Sequence, residues 1–386
     1  MAAGRTWALY IGGFLGPFGG GITTTMMPEM AHGVHASVTG VGLAITAYMV
    51  PFALVMLLSG SLAERWGRGR TLRAAYLVYV AASLAVAAAP RLDVVLAARA
   101  VQGAANAFTT PVLIAVLSGR ASDERLGRTL GVFGAFQAAG QAFSPFVGGV
   151  AASVGWRWGF VASAVAAVVL VVVTPTSDGD RRGRAVPRMR SVLRPGVLVG
   201  AVAAAFAYLT SMGLTVLGAL MATDAFGAGP SLRGLVVACF GAAGLAAGRA
   251  AGRLLDAVGI RWAGALLGLA MAVSAAVGGF APFLVVLAAG LLVGGAANTG
   301  MRATTAMLAI RTAPDNAGGA ASFVLAFQFI GGAVAPAVLL PIYHAHGSIV
   351  LALSGAGAVV GATLLAFSPR PTRAVRPSPP PSTRVE

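Results

Sequence analysis

Twelve runs of predominantly apolar residues fill this chain almost from end to end. They cover residues 6–31, 36–59, 73–90, 92–118, 128–152, 156–176, 197–223, 231–251, 262–280, 283–309, 317–341 and 348–368. An apolar helix of roughly 20 residues spans the hydrocarbon core of a bilayer, so the runs predict about twelve transmembrane helices. In lipid each segment must satisfy its own backbone hydrogen bonds, and the alternating pattern of a membrane β-barrel is absent. Hydrophobic residues make up 58% of the 386 and charged residues 10%, with a mean hydropathy of +0.85. A soluble chain of this length cannot hide that much apolar surface in one core. The first run is too long for a signal peptide and is followed at once by another, so it reads as a retained helix.

The formal net charge is +16, and all 27 basic residues are arginine. A basic balance raises the question of nucleic acid, but these arginines sit mostly in the gaps between apolar runs, which makes the bilayer the partner and not a nucleic acid. With the N-terminus in the cytoplasm, 22 arginines fall on the cytoplasmic side and only Arg91, Arg157 and Arg233 on the outer side. Arg99 and Arg302 fall inside spans. The positive-inside rule then sets the expected orientation: a multi-pass protein of the plasma membrane with both ends cytoplasmic. The longest internal polar gap carries six arginines between Arg181 and Arg194 and splits six spans from six. The expected organisation is a first six-helix bundle over 1–176, a basic cytoplasmic linker over 177–196, a second bundle over 197–368, and a disordered cytoplasmic tail over 369–386, rich in Pro, Ser and Arg. The single cysteine, Cys239, has no intrachain partner, and no zinc spacing exists. Neither metal nor cofactor is expected.

The two halves repeat. Gly103-Ala104-Ala105-Asn106 recurs as Gly295-Ala296-Ala297-Asn298 at an offset of 192, and Gly60, Leu62, Glu64 and Gly67 map onto Gly252, Leu254, Asp256 and Gly259 at the same offset. Ala135-Phe136-Gln137, with Gly140 and Pro145, recurs as Ala326-Phe327-Gln328, with Gly331 and Pro336, at 191. An even number of spans per half makes the repeats parallel, related by an axis along the membrane normal, and such a pair encloses a central cavity.

Three motifs carry a resemblance. The loop after span 2 contains Gly60, Glu64, Arg65, Gly67 and Arg68. It resembles the signature cytoplasmic loop of the major facilitator superfamily, with Glu64 where the family usually has Asp. Span 4 contains Arg99, Gln102 and Gly103, which resemble the family's R-x-x-Q-G motif. Span 5 contains Gly140, Ser144, Pro145, Gly148 and Gly149, similar to the G-x-x-x-G-P-x-x-G-G motif of its drug:proton antiporter branch, with Ser144 replacing the central Gly. The resemblance covers both halves. It implies an all-α membrane fold of two pseudo-symmetric six-helix bundles, and a cytoplasmic latch in which Glu64 and its arginines close the halves, with Asp256 as the counterpart in the second half. It also implies a part for the span 4 motif in proton coupling. On its own chemistry, Arg99 is either such a group or a buried arginine bonded to carbonyls that only fixes packing. Gly140, Pro145, Gly148 and Gly149 let two helices approach closely and flex. Trp156 and Trp158, flanking Arg157, read as an interfacial anchor.

Acid is scarce. Glu29 is the only carboxylate within an early span, near the outer end of helix 1. A proton antiporter needs a group that titrates, so elimination points to Glu29, with Arg99 as its partner in the same half. The competing reading leaves Glu29 exposed and inert. Arg302 either snorkels to the cytoplasmic interface or faces the cavity and meets a polar or anionic part of a substrate. In the resembling family helices 1, 4, 7 and 10 line the cavity. The cavity residues expected are Gln102, Asn106, Gln137, Gln141, Tyr208, Thr215, Asn298, Arg302 and Gln328, with Ser211 and Met212 beside them. Methionine, phenylalanine, amides and hydroxyls suit varied, partly apolar compounds.

The expected function is secondary active export of small amphiphilic molecules, drugs or secondary metabolites, by proton antiport, in a monomer. The alternative is a proton-coupled or facilitative carrier of a polar metabolite such as a sugar or amino acid. A membrane enzyme would show clustered catalytic residues near an interface, and none is found. No phosphate-binding G-x-x-x-x-G-K-[ST] exists to power the chain with ATP.

Overall fold

A computed structural model describes residues 6–120, 123–174 and 192–368. The tail and most of the linker, with its arginines from Arg181 to Arg190, lie outside these residues. The described chain is helical throughout, with no strand. It makes twelve passes, as the apolar runs predict. The first pass is broken: α1 (Thr6–Gly21) is followed by a 3-10 turn (Ile22–Thr25) and the short α2 (Met27–Gly33). Single helices make the second and third passes, α3 (Val38–Trp66) and α4 (Arg68–Ala88). The fourth pass is interrupted between α5 (Leu92–Asn106) and α6 (Thr109–Arg120). Then come α7 (Asp123–Val154), α8 (Arg157–Val173) and α9 (Pro195–Asp224). Two passes are joined in α10 (Pro230–Gly279). The last three are α11 (Leu284–Thr312), α12 (Ala317–His346) and α13 (Ile349–Ala366).

The segments expected as loops at 60–73 and 249–261 are largely helix. α3 and α4 are separated by one residue, Gly67, at φ 90°, and α10 bends at Gly259, at φ 77°. Both backbones sit where a side chain would be strained, and the two glycines occupy equivalent places in the repeats. At 50 residues α10 is about 75 Å long at 1.5 Å per residue, well over one bilayer, so the bend divides two passes. Proline opens α9 and α10, where a missing N–H is harmless. Ser37 caps α3 by accepting from the Gly40 amide at 3.0 Å.

The duplication is visible in the packing. A Cβ on Gly103 would run into the backbone carbonyl of Tyr48, and one on Gly295 into that of Phe240. Gly140 lies in the same way on the Phe14 carbonyl, and Gly331 on that of Ala205. Each contact in the first half recurs in the second at the sequence offset of its glycine. Only a residue without a side chain permits these crossings.

The halves meet along two seams, α3 against α12 and α7 against α10. Thr46 Oγ1 donates to the Ala333 carbonyl at 2.6 Å. Gly149 packs directly on Pro230 and Gly234. On the side of the short loops, residues of both halves share one apolar core that runs from Met26, Met30 and Ile45 to Leu217, Leu291 and Leu340. Toward the arginine-rich side the larger cores are separate, with Leu9, Leu72 and Leu113 in one half and Leu255, Met271 and Leu308 in the other, and a small cluster of Phe52, Met56, Ala107 and Ala326 bridges the α3–α12 seam. Gly60, Gly131, Gly252 and Gly318 have open space around them on that side. The molecule is therefore closed at its short-loop face and open at its arginine-rich face.

Candidate functional site

A cavity of about 470 Å³ lies between the halves. Its wall contains eight of the nine residues expected there: Asn106, Gln137, Gln141, Tyr208, Thr215, Asn298, Arg302 and Gln328. Met212 joins them, while Ser211 is buried behind the wall without a partner for its hydroxyl. Gln102 is the exception. It is fully buried behind the wall, accepting from Arg99 at 2.6 Å and donating to Ser83 Oγ at 2.7 Å. Asn106 ends α5 at the level of the cavity, whereas Gln102 lies one turn earlier on the same helix, beside Ser83 and Arg99.

Of the aromatic residues of the wall, Tyr208 was expected and four others were not named. Tyr48 and Phe52 come from α3, Phe240 from α10 and Phe329 from α12. Phe52 and Phe329 meet edge to face across the seam, with centroids 4.6 Å apart, and Tyr208 packs edge-on against Phe329 at 5.7 Å. Tyr48 and Phe240 stand at the 192-residue repeat offset, which is the signal that could have found them.

Arg99 is fully buried and does not reach the cavity. Its Nη1 donates to the Gly19 carbonyl at 3.0 Å and to Gln102, and its Nε to the Ala44 carbonyl at 3.4 Å. The guanidinium lies 4.2 Å from the centroid of the Tyr48 ring, a cation–π contact worth about 2 kcal/mol when desolvated. The Tyr48 hydroxyl in turn accepts from Asn106 Nδ2 at 2.7 Å. Arg99 thus fixes the back of the cavity wall, and its Nη2 has no partner.

The expected pairing of Glu29 with Arg99 is corrected. Glu29 Oε2 accepts from Arg233 Nη2 at 2.6 Å. Its sequence places Arg233 on the outer side at the start of a span, and there it is buried at 1% exposure in the first turn of α10. It also donates twice to the Thr25 carbonyl, at 3.0 and 2.6 Å, and to Thr223 Oγ1 at 3.0 Å. This arginine of the second half grips the broken first pass where the two halves close. Trp156 is another correction. It is buried against Phe160, and Trp158 alone is exposed.

Arg302 takes the cavity reading over the interfacial one. Its Nη1 donates to Gln141 Oε1 across the seam at 3.1 Å. At the open face, Glu64 pairs with Arg68 four residues on, at 3.2 Å. Asp256 is exposed and makes no ion pair among the described residues, so the parts of the expected latch stand apart. In the span 5 motif, Gly148 fits against Ile22 and Thr25, and the Pro145 carbonyl accepts from Thr25 Oγ1 at 2.9 Å. His32, His35, His344 and His346 are exposed near the closed face.

A helical membrane protein of two repeated bundles around a central cavity open at one face has the architecture of a secondary transporter. A sequence profile of the Major Facilitator Superfamily matches residues 9–217, and the chain belongs to that family. A puromycin resistance protein of Streptomyces alboniger is 32% identical over 218 residues, 52% of this chain and 42% of that protein. A multidrug resistance protein B homolog of Mycobacterium tuberculosis is 33% identical over 138 residues, 35% of this chain and 26% of its own. The matches thus span less than half the length of these relatives. Among solved structures, a D-xylose-proton symporter superposes with a TM-score of 0.77 at 15% identity, covering 95% of this chain and 98% of the symporter, a likeness of fold alone.

Proposed function

We propose that this protein is a secondary active exporter of small amphiphilic molecules, driven by inward proton flow and working by alternating access in the plasma membrane. The observation that carries the reading is a cavity at the seam, sealed on one side by a core shared between the halves and lined by aromatic, methionine and amide side chains from both. A wall of that kind accepts varied, partly apolar ligands. The resistance proteins named above point the same way. With the arginine-rich face in the cytoplasm, the structure is the inward-open state, ready to load from inside.

The two bundles rock about the cavity. Opening outward requires Arg233 to release Glu29 and Thr25. The freed carboxylate then faces the outer phase and takes up a proton, and the pair re-forms only when that proton leaves inward. Glu29 is thereby the coupling group. Arg99 acts through Tyr48 as a positioning residue. The latch residues Glu64, Arg65, Arg68 and Asp256 meet when the inner face closes, and the monomer is the working unit.

The test uses inside-out vesicles loaded with acid and a pH-reporting dye. Lipophilic antibiotics and other amphiphiles added outside should release protons from vesicles that hold the protein and not from controls. Release by sugars or amino acids alone would replace this reading with a polar metabolite carrier. Silence across the panel with correctly inserted protein would remove proton-driven export.

A further inference from the structure

We infer that the cavity selects amphiphiles bearing a negative charge, and that Arg302 is the group that binds the anion. The inference deepens the export reading and rests on it.

Arg302 is the only charged side chain on the cavity wall, and no Asp, Glu, His or Cys among the described residues lines it. Among the described residues the guanidinium makes one hydrogen bond, the donation to Gln141, which leaves most of a planar, multi-donor fork unused. A cation in a cleft of low dielectric without a counter-ion is electrostatically incomplete. A carboxylate, sulfonate or phenolate completes it, and the first two can do so through paired parallel hydrogen bonds.

The neighbours of Arg302 add donors. One stretch of the cavity wall carries Tyr208, Asn298, Thr305 and Gln328 beside Arg302. Gln328 is buried at 3% exposure, and its Nε2 has no partner. Asn298 is equally buried, and its amide makes no hydrogen bond among the described residues. Arg302 and Asn298 are four residues apart on α11 and so share a face. Uncommitted N–H groups beside a guanidinium call for a ligand rich in acceptors. Thr305 Oγ1 shares its one proton between the Met301 and Arg302 carbonyls at 3.1 Å each, which holds the hydroxyl against its own helix.

The opposite wall reinforces the sign. Arg99 stands directly behind Tyr48 with carbonyls and an amide as partners and no carboxylate. Glu29, the carboxylate of the seam, is committed to Arg233. On the arginine-rich side Arg128, Arg249, Arg253 and Arg311 are exposed, and their positive field raises the local concentration of anions on the side from which the cavity is entered. The remaining wall, with Phe52, Phe329 and Met49, suits an apolar or aromatic body. A lipophilic cation would find aromatic faces but also an unscreened like charge.

The test is a matched set of fluorescent ligands: N-dansylglycine with its carboxylate, its neutral amide, and N-dansylethylenediamine with its ammonium group. Binding is measured to the purified full chain in nanodiscs, with empty nanodiscs subtracted. The carboxylate should bind at least about tenfold more tightly than the ammonium compound, as one charge-assisted contact implies. In Arg302→Gln the ratio of carboxylate to amide affinity should collapse towards one, and Arg302→Lys should keep part of it. Equal binding of carboxylate and ammonium, or a ratio unchanged in Arg302→Gln, would overturn the inference and leave export of amphiphiles standing. Failure of all three ligands to bind monodisperse protein would overturn the export reading and this inference with it.

Discussion

Glu29 and Arg233, 204 positions apart and on opposite halves, meet at 2.6 Å on the sealed side of the cavity. Glu29 retains 24% exposure and Arg233 only 1%, so the carboxylate is the member within reach of solvent. The same arginine holds the Thr25 carbonyl, so one side chain ties the second half both to a titratable group and to the break in the first pass.

Glu29→Gln should keep the fold, because Arg233 retains Thr25 and Thr223. It should lower uphill, proton-driven transport at least about tenfold, the scale of losing a charge-assisted contact. Substrate exchange without a gradient should persist. Uphill and exchange fluxes in proteoliposomes separate the two, and equal loss of both would mark Glu29 as a structural residue.

Arg99→Gln should destabilise the protein by about 2 kcal/mol, the scale of leaving buried carbonyls without donors, here those of Gly19 and Ala44. Arg99→Lys should recover only part, because an ammonium lacks the planar fork. Thermal unfolding in detergent checks the order, and ligand affinity should fall with it through the displaced Tyr48 ring.

Gly103→Ala and Gly295→Ala should each cost about 1–3 kcal/mol by overpacking, since each meets a backbone carbonyl of the adjacent helix. Gly131→Ala, in open space, should be neutral or slightly stabilising. Equal effects at all three positions would contradict the packing described.

Glu64→Ala should change the stability of this state by no more than about 0.5 kcal/mol, since exposed pairs at i, i+4 contribute little and Glu64 is 43% exposed beside Arg68. Turnover should nevertheless fall several-fold if the latch forms when the inner face closes. Melting temperature and transport rate measured on one preparation decide this.

Much of this fold was legible in advance. Twelve apolar runs yielded twelve passes, and the repeat offsets reappeared as paired glycine crossings. The polar wall was legible too, because amides such as Gln137 and Gln328 are rare within spans and stand out. Most of the aromatic wall was not, since Tyr48 or Phe240 in an apolar run looks like any lipid-facing residue. The burial of Arg233 was not legible, because a residue three positions into α10 reads as an interfacial one, and only the packing of the halves encloses it. The partner of Glu29 lay in the other half, where no local spacing could indicate it.

Alternating access requires the sealed face to open as the inner face closes. Spin labels at Gly131→Cys and Gly252→Cys, in a Cys239→Ser background that removes the one native cysteine, report the width of the inner mouth by double electron–electron resonance. The account predicts a long distance at neutral pH and a second, shorter one whose share grows on acidification and in Glu29→Gln, where the outer pair is lost. A single distance, unchanged by acid and by Glu29→Gln, would contradict alternating access governed by Glu29 and Arg233.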